Sequence, residues 1–232
     1  MNTESFWAVL EESRQHGSGG DRRDAWLRDS LARRTGDEIV AFQACLDELT
    51  DLALTWDLWA AADRIFGGWC SDDTFRSFQH WMMGLGRSVF EAAVNDPDVL
   101  GYAAEVLRLA GRPRAAWPAA ERPAWTFLDT VGLTAYEVAT GPSGDFGDSF
   151  YAAVRAARCR PPALDGARPA AGGRGPGTPP VPADGPGPSG RRWSALDEAE
   201  AARRLPRLSV LFPLGEPFPL GPPGGAGGHP SP

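Results

Sequence analysis

Residues 55–100 read TWDLWAAADRIFGGWCSDDTFRSFQHWMMGLGRSVFEAAVNDPDVL. Four helices, the first continuing from upstream, can be read from this stretch. Trp56 and Ala60 continue an apolar stripe that begins upstream at Ile39 and runs through Phe42, Leu46, Leu49 and Ala53, at spacings of three and four. That is the period of one face of a long helix, with a break expected near Thr55. Gly67-Gly68 ends it. Ser71 can cap the next helix, and Asp72 and Asp73 then fall in its first turn, where the helix dipole favours carboxylates. Phe75, Phe78, Met82 and Leu85 form the buried stripe of that helix, and Gly84 and Gly86 weaken its end. A short helix around residues 87–94 follows. Asp96-Pro97 is a cap with proline at the first helical position, opening a helix that carries Val99, Leu100, Val106 and Leu107.

The same grammar extends outward. Residues 4–15 place Phe6, Trp7 and Leu10 on one face, and Asp21 can cap a helix presenting Trp26, Leu27 and Leu31. Thr35-Gly-Asp-Glu38 is a capping box. A last body helix is expected over residues 124–139, closing at Gly141. No segment alternates with period two, so no strands are expected. The expected fold is all-α: a single compact multi-helix domain over residues 1–141, with a Pro/Gly-rich disordered C-terminal region. Residues 142–190 read as a disordered linker, because PPALDGARPAAGGRGPGTPPVPADGPGPSG (161–190) has too few large apolar groups to offset the entropy of ordering it. Within the tail, ALDEAEAARRL after Ser194 reads as a short helix, stopped by Pro206 and docking on the body within residues 191–212. Residues 213–232 read as disordered.

Charge follows the same division. Residues 1–140 carry 13 Arg and 22 acids, net −9, and the remainder carries 10 Arg and 8 acids, net +2. All 23 basic residues are Arg, which points to a GC-rich bacterial genome. An acidic body without a basic stripe argues against nucleic-acid binding. No run of some 18 apolar residues reads as a membrane span, and the first fifteen residues do not read as a secretory signal. Three scattered cysteines make no disulfide framework, so a reducing cytoplasm is the expected compartment. GGRGPG (172–177) lacks the lysine and hydroxyl residue of a phosphate loop. No cofactor and no metal are expected, since His16, His80, His229 and the cysteines do not offer zinc-ligand spacing.

The rare residues also fall in a recognisable order. Phe6-Trp7, Trp56-Asp57-Leu58-Trp59-Ala60-Ala61, Cys70-Ser71-Asp72-Asp73 with Phe75 and Phe78, Trp81, Gly86-Arg87, Phe90-Glu91, Asp96-Pro97 and Ala135-Tyr136-Glu137 resemble a bacterial domain family of unknown function, DUF4240. Arg192-Trp193 through Leu205-Pro206-Arg207-Leu208 resembles that family's C-terminal end. The resemblance spans roughly residues 4–140 and 191–212. The sequence departs from the pattern at Asp63, where a tyrosine would be expected, and at Trp69, which lengthens the Gly-Gly-Cys turn by one. The resemblance implies a small intracellular bacterial protein and no established activity.

The chemistry-bearing residues concentrate between Trp56 and Arg87. Trp56, Asp57, Trp59, Cys70, Asp72, Asp73, Trp81 and Arg87 form the candidate functional cluster. In one reading the carboxylates line a pocket with indole walls at a helix–turn–helix junction. In the plainer and favoured reading, Asp72 and Asp73 cap a helix and Trp56 and Trp59 fill the core. Asp57 lies between two indoles inside a helix and needs a partner; Arg64 and Arg87 are the candidates. Cys70 precedes a helix N-terminus, which can activate a thiol, but a plain buried turn cysteine is the favoured reading. No catalytic residue is assigned. The shortage of catalytic groups and the acidic, Trp-rich body point to a noncatalytic interaction or regulatory module with a protein partner. A specific version is an immunity-type protein that neutralises a basic partner. The alternative is a small-molecule-binding protein or enzyme with its site between residues 56 and 87.

Overall fold

The computed structural model describes residues 1–17, 20–142, 144–158 and 187–214. Among these residues the regular structure is helical, and the one β-bridge joins Thr55 to Ser189. Helix α1 spans Thr3–Arg14, α2 Asp21–Ala32, α3 Gly36–Leu52, α4 Trp56–Ile65, α5 Asp72–Gly84 and α6 Arg87–Asn95. A 3-10 helix over Pro97–Tyr102 leads to the one-turn α7, Ala104–Leu107. Helix α8 covers Leu128–Thr140, α9 Asp148–Arg158, α10 Glu198–Arg204 and α11 Pro206–Leu211. No described helix is long and apolar enough to cross a membrane.

The start signals act as expected on the long stripe. Thr35 and Glu38 form the reciprocal capping box at the head of α3. The break near Thr55 is real: its hydroxyl accepts from Leu58 N at 3.1 Å and starts α4 as a separate helix. Ser71 caps α5 by accepting from Thr74 N. Elsewhere the boundaries differ. Gly20, not Asp21, occupies the cap position of α2. The segment after Asp96 tightens into 3-10 geometry before α7, because it turns within six residues to pack on both α6 and α11.

Burial explains the assembly. Phe6, Leu27, Leu31, Ile39, Phe42, Leu46, Phe75, Phe78, Phe90 and Phe150 are fully buried in one continuous core, and each such side chain contributes about 1.5–3 kcal/mol of transfer free energy. Helix α8 packs on α2 and α3. Gly132 permits that approach: a Cβ there would lie 2.3 Å from Gln43 Oε1 and 3.3 Å from the Phe150 ring.

Two expectations about the tail need correction. The disordered linker was expected from residue 142, yet α9 is ordered and packs along α3. Its DSFYAAVRAAR sequence holds no Gly or Pro and buries Phe150 and Val154 on one face, a short period masked by the breakers around it. Arg158 also pairs with Asp51 and lies 3.8 Å from Asp47. The rest of the expected linker, residues 159–186, and residues 215–232 lie outside the described residues. Pro206 ends α10, as expected, but it also opens α11 from the first position.

The returning segment is anchored to the body. The Asp98 carboxylate accepts from Arg207 N at 3.0 Å and from Leu208 N at 2.8 Å, capping α11 from a different element. Arg207 donates to Gly101 O at 2.6 Å and lies over Tyr102, 3.9 Å from the ring centroid. A Cβ on Gly101 would meet the Arg207 stem at 2.8 Å. Asp98→Ala is expected to lower unfolding free energy by about 2 kcal/mol, since two N–H groups lose their acceptor. Urea denaturation measures this, and an unchanged midpoint would mean that α11 does not depend on Asp98.

Candidate functional site

Helix α4 carries two charged side chains toward the returning segment. Arg64 has no exposed surface. Its Nη1 donates to Glu198 Oε1 at 2.9 Å and to Ala195 O at 3.0 Å, and its Nη2 donates to Glu198 Oε2 at 3.0 Å and Ser209 O at 3.4 Å. The guanidinium therefore ties α4 to both α10 and α11. The hydrogen bonds from Arg64 hold the Glu198 carboxyl below its usual range.

Asp57 has a partner, but neither expected one. Its Oδ1 accepts from Trp193 Nε1 at 2.7 Å and from Arg204 Nη1 at 2.8 Å. Arg64 is committed to Glu198, and Arg87 to Glu4 and Glu91, each at 2.6 Å. The requirement that Asp57 be neutralised was sound; proximity in sequence misidentified the donor. Because its side chain is 46% exposed, Asp57→Asn is expected to cost only about 1 kcal/mol, a midpoint shift of about 2–4 °C. An unchanged thermal midpoint would remove Asp57 from the clasp.

Beside this clasp lies a cleft of about 910 Å³ between the α4–α5 turn and residues 188–196. It gathers Trp56, Trp59, Cys70, Asp72 and Asp73 from the expected cluster. Asp57, Trp81 and Arg87 do not line it. Trp59 stacks on Phe75 at 4.4 Å and lies 5.9 Å from Trp56. Both indoles are half-buried and wall the cleft, but only Trp59 also packs against the core. The core and wall readings are compatible for Trp59, whereas Trp56 was expected in the core and instead meets Trp59 and Arg192 at the cleft. Trp56 N donates to Ser189 O at 3.0 Å and Ser189 N to Leu54 O at 2.9 Å. These bonds hold the far wall in place. Arg192 lies over Trp56, 4.8 Å from the ring centroid.

Asp63 and Trp69 are both part of this cleft. Asp63 Oδ1 accepts from Cys70 N at 2.8 Å, closing the turn after α4. Burial pushes the Asp63 carboxyl up, and the bond from Cys70 opposes this. The Cys70 thiol is raised, first by burial and then by the Asp63 charge, which makes it a poor nucleophile. Trp69, the extra residue of the turn, is 69% exposed at the lip. Among the described residues, Asp63, Asp72 and Asp73 form no ion pair, and no group of three or more His, Cys, Asp or Glu is placed to hold a metal ion.

His80 lies elsewhere, buried between α3 and α8. Its Nε2 is 3.4 Å from Thr50 Oγ1, and its Nδ1 is 3.6 Å from Asp129 Oδ1. Neither His80 nor Thr50 lines the cleft.

Of the residues that matter here, Arg64, Trp193, Glu198 and Arg204 were missed from the candidate cluster. Arg64 left a signal, since it falls four residues after Ala60 on a face that reads as apolar. The others stand in the tail island, which composition set apart from the body.

A family model described as "Protein of unknown function (DUF4240)" matches residues 1–138. The match ends before the returning segment, so the docking of residues 187–214 is known from the structure alone. No curated protein and no solved structure matches the chain.

Proposed function

The chain belongs to the DUF4240 family of proteins of unknown function, and within it we propose that this protein is a noncatalytic interaction module whose Trp-walled cleft receives a basic protein partner. One observation carries the reading: Asp63, Asp72 and Asp73 line the cleft without an ion-pair partner among the described residues. Unpaired carboxylates beside indole faces suit a cationic side chain, which gains from both Coulomb attraction and cation–π contact. The exposed Trp69 at the lip supplies an aromatic anchor of the kind that dominates interface energetics. The net −9 of residues 1–140 would speed encounter with a basic surface. An immunity-type protein that neutralises a basic partner is the specific form of this role. The poor nucleophilicity of Cys70 and the burial of His80 away from the cleft weigh against catalysis there.

The test is titration of the full-length protein with an Arg-Gly repeat peptide, followed by tryptophan fluorescence at several salt concentrations. Binding is expected at low salt and should weaken as salt rises. Asp72→Asn with Asp73→Asn should reduce affinity about tenfold or more, with a stability cost of about 2 kcal/mol or less from the helix dipole. Equal affinity for wild type and double variant would overturn the role of the cleft. Saturable binding of free arginine without binding of the peptide would favour a small-molecule site instead.

A further inference from the structure

A second cleft, of about 1030 Å³, opens between α1, the start of α2, the end of α5 and residues 119–127, and shares no residue with the Trp–Asp cleft. Arg23 lies in its wall, only 4% exposed. The guanidinium stacks over Trp125, 4.0 Å from the ring centroid. Its Nε donates to Ser13 Oγ at 2.9 Å and its Nη2 to Gly84 O at 3.3 Å. Among the described residues, Nη1 donates to nothing, and no carboxylate forms an ion pair with Arg23. The acids nearby are committed to other groups. Glu11 pairs with Arg14 at 3.0 Å, Asp24 accepts from Trp125 Nε1 at 2.8 Å, Glu105 faces Arg108 at 3.7 Å and Glu121 holds Arg112 at 2.6 Å.

A buried charge without a counter-charge is costly, and the cost is met when an ion of opposite sign binds. Burial pushes the Arg23 guanidinium down to about 10, with Arg14 adding to the effect and Asp24 and Glu11 opposing it, so the group is still charged at neutral pH. Arg122, exposed on the same cleft, also has no ion-pair partner among the described residues. Trp81 and Phe127 give the cleft apolar surface.

We infer that this cleft binds a small anionic molecule, whose carboxylate or phosphate group sits on Arg23 Nη1 and Arg122 while its apolar part lies against Trp81 and Phe127. Guanidinium donors suit oxyanions of either kind, because their planar fork matches the spacing of two oxygens. The site is independent of the proposed protein partner.

The full-length protein should be titrated with inorganic phosphate and, separately, with succinate, against chloride at matched ionic strength. Calorimetry and the thermal midpoint are the readouts. At about 10 mM, one of the two oxyanions is expected to raise the wild-type midpoint by a few degrees beyond chloride. Which one does so identifies the ligand class. Arg122→Gln should weaken that binding about fivefold or more, and Arg23→Met should abolish the shift. Arg23→Met exchanges an uncompensated charge for an apolar stem on Trp125, so its midpoint without the anion should stay within a few degrees of wild type. Should Arg23→Met not fold, the surface variant Arg122→Gln decides alone. Equal responses in wild type and Arg122→Gln, or no response to either oxyanion beyond chloride, would overturn the inference.

Discussion

Replacing Arg64 by alanine is expected to lower unfolding free energy by about 3–5 kcal/mol and to detach α10 and α11 from the body. The size follows from an asymmetry in the pair. Arg64 is fully enclosed, whereas the Glu198 side chain is 49% exposed. Truncating Arg64 leaves a cavity and removes the donor from Ala195 O, Ser209 O and both Glu198 oxygens. Truncating Glu198 leaves a fully enclosed Arg that still donates to the Ala195 and Ser209 carbonyls but has lost its counter-charge. Glu198→Gln keeps an oxygen acceptor beside that charge, so it is expected to cost less than Arg64→Ala, about 1–3 kcal/mol. Urea denaturation of the two variants measures the contrast. Equal and small losses would show that the Arg64 guanidinium contributes no more than a surface ion pair.

Acidification is expected to weaken the fold through His80. Burial lowers its pKa from 6.5 to about 4; Arg76 lowers it further, while Asp129 and the Trp125 backbone oppose the shift. Because Thr50 donates its hydroxyl to Leu46 O at 2.8 Å, Thr50 Oγ1 can only accept from His80, which places the ring proton on Nε2. Nδ1 is then the site that would take a second proton, facing Asp129, whose carboxylate is already held by Arg76 at 2.8 Å. The sign follows from a folded pKa below the unfolded one. Between pH 6.5 and 4 the unfolded chain binds a proton that the native state refuses, so stability is full above that window and falls as pH drops through it. The stability lost across that window is on the order of a few kcal/mol. His80→Gln retains a donor toward Thr50 and removes the titration. Between pH 7 and pH 4 it should lose less stability than wild type by about that amount. Identical pH profiles for the two proteins would remove His80 as the cause.

The body was legible because its signals are local. Thr35 with Glu38, Thr55, and Ser71 with Asp72 and Asp73 each specify a helix start within four residues, and the Phe and Trp spacing names the buried face. The all-α fold follows from those signals, and the structure agrees. Helix α9 was hidden because its eleven residues sit among glycines and prolines, so a composition averaged over fifty residues outweighs a buried face of two. The site was partly legible for a different reason. Trp56, Trp59, Cys70, Asp72 and Asp73 meet because they flank one turn. The partners of Asp57 and Arg64 lie more than 130 residues away along the chain. Local periodicity carries no information about that pairing; only the need to neutralise each charge shows that some partner exists. Asp63 closes the turn and Trp69 forms the lip of the cleft.

Residues 187–214 form an integral wall of the body, held by Arg64 and Asp57, and complete the acidic Trp cleft. Amide hydrogen exchange of the full-length protein tests this most directly. In wild type, Leu205 and residues 208–212 are expected to be protected nearly as well as α4 and α5, and to lose that protection in Arg64→Ala while α3 and α5 remain protected. Exchange of residues 198–212 at the rate of an unstructured chain in the wild-type protein would contradict it.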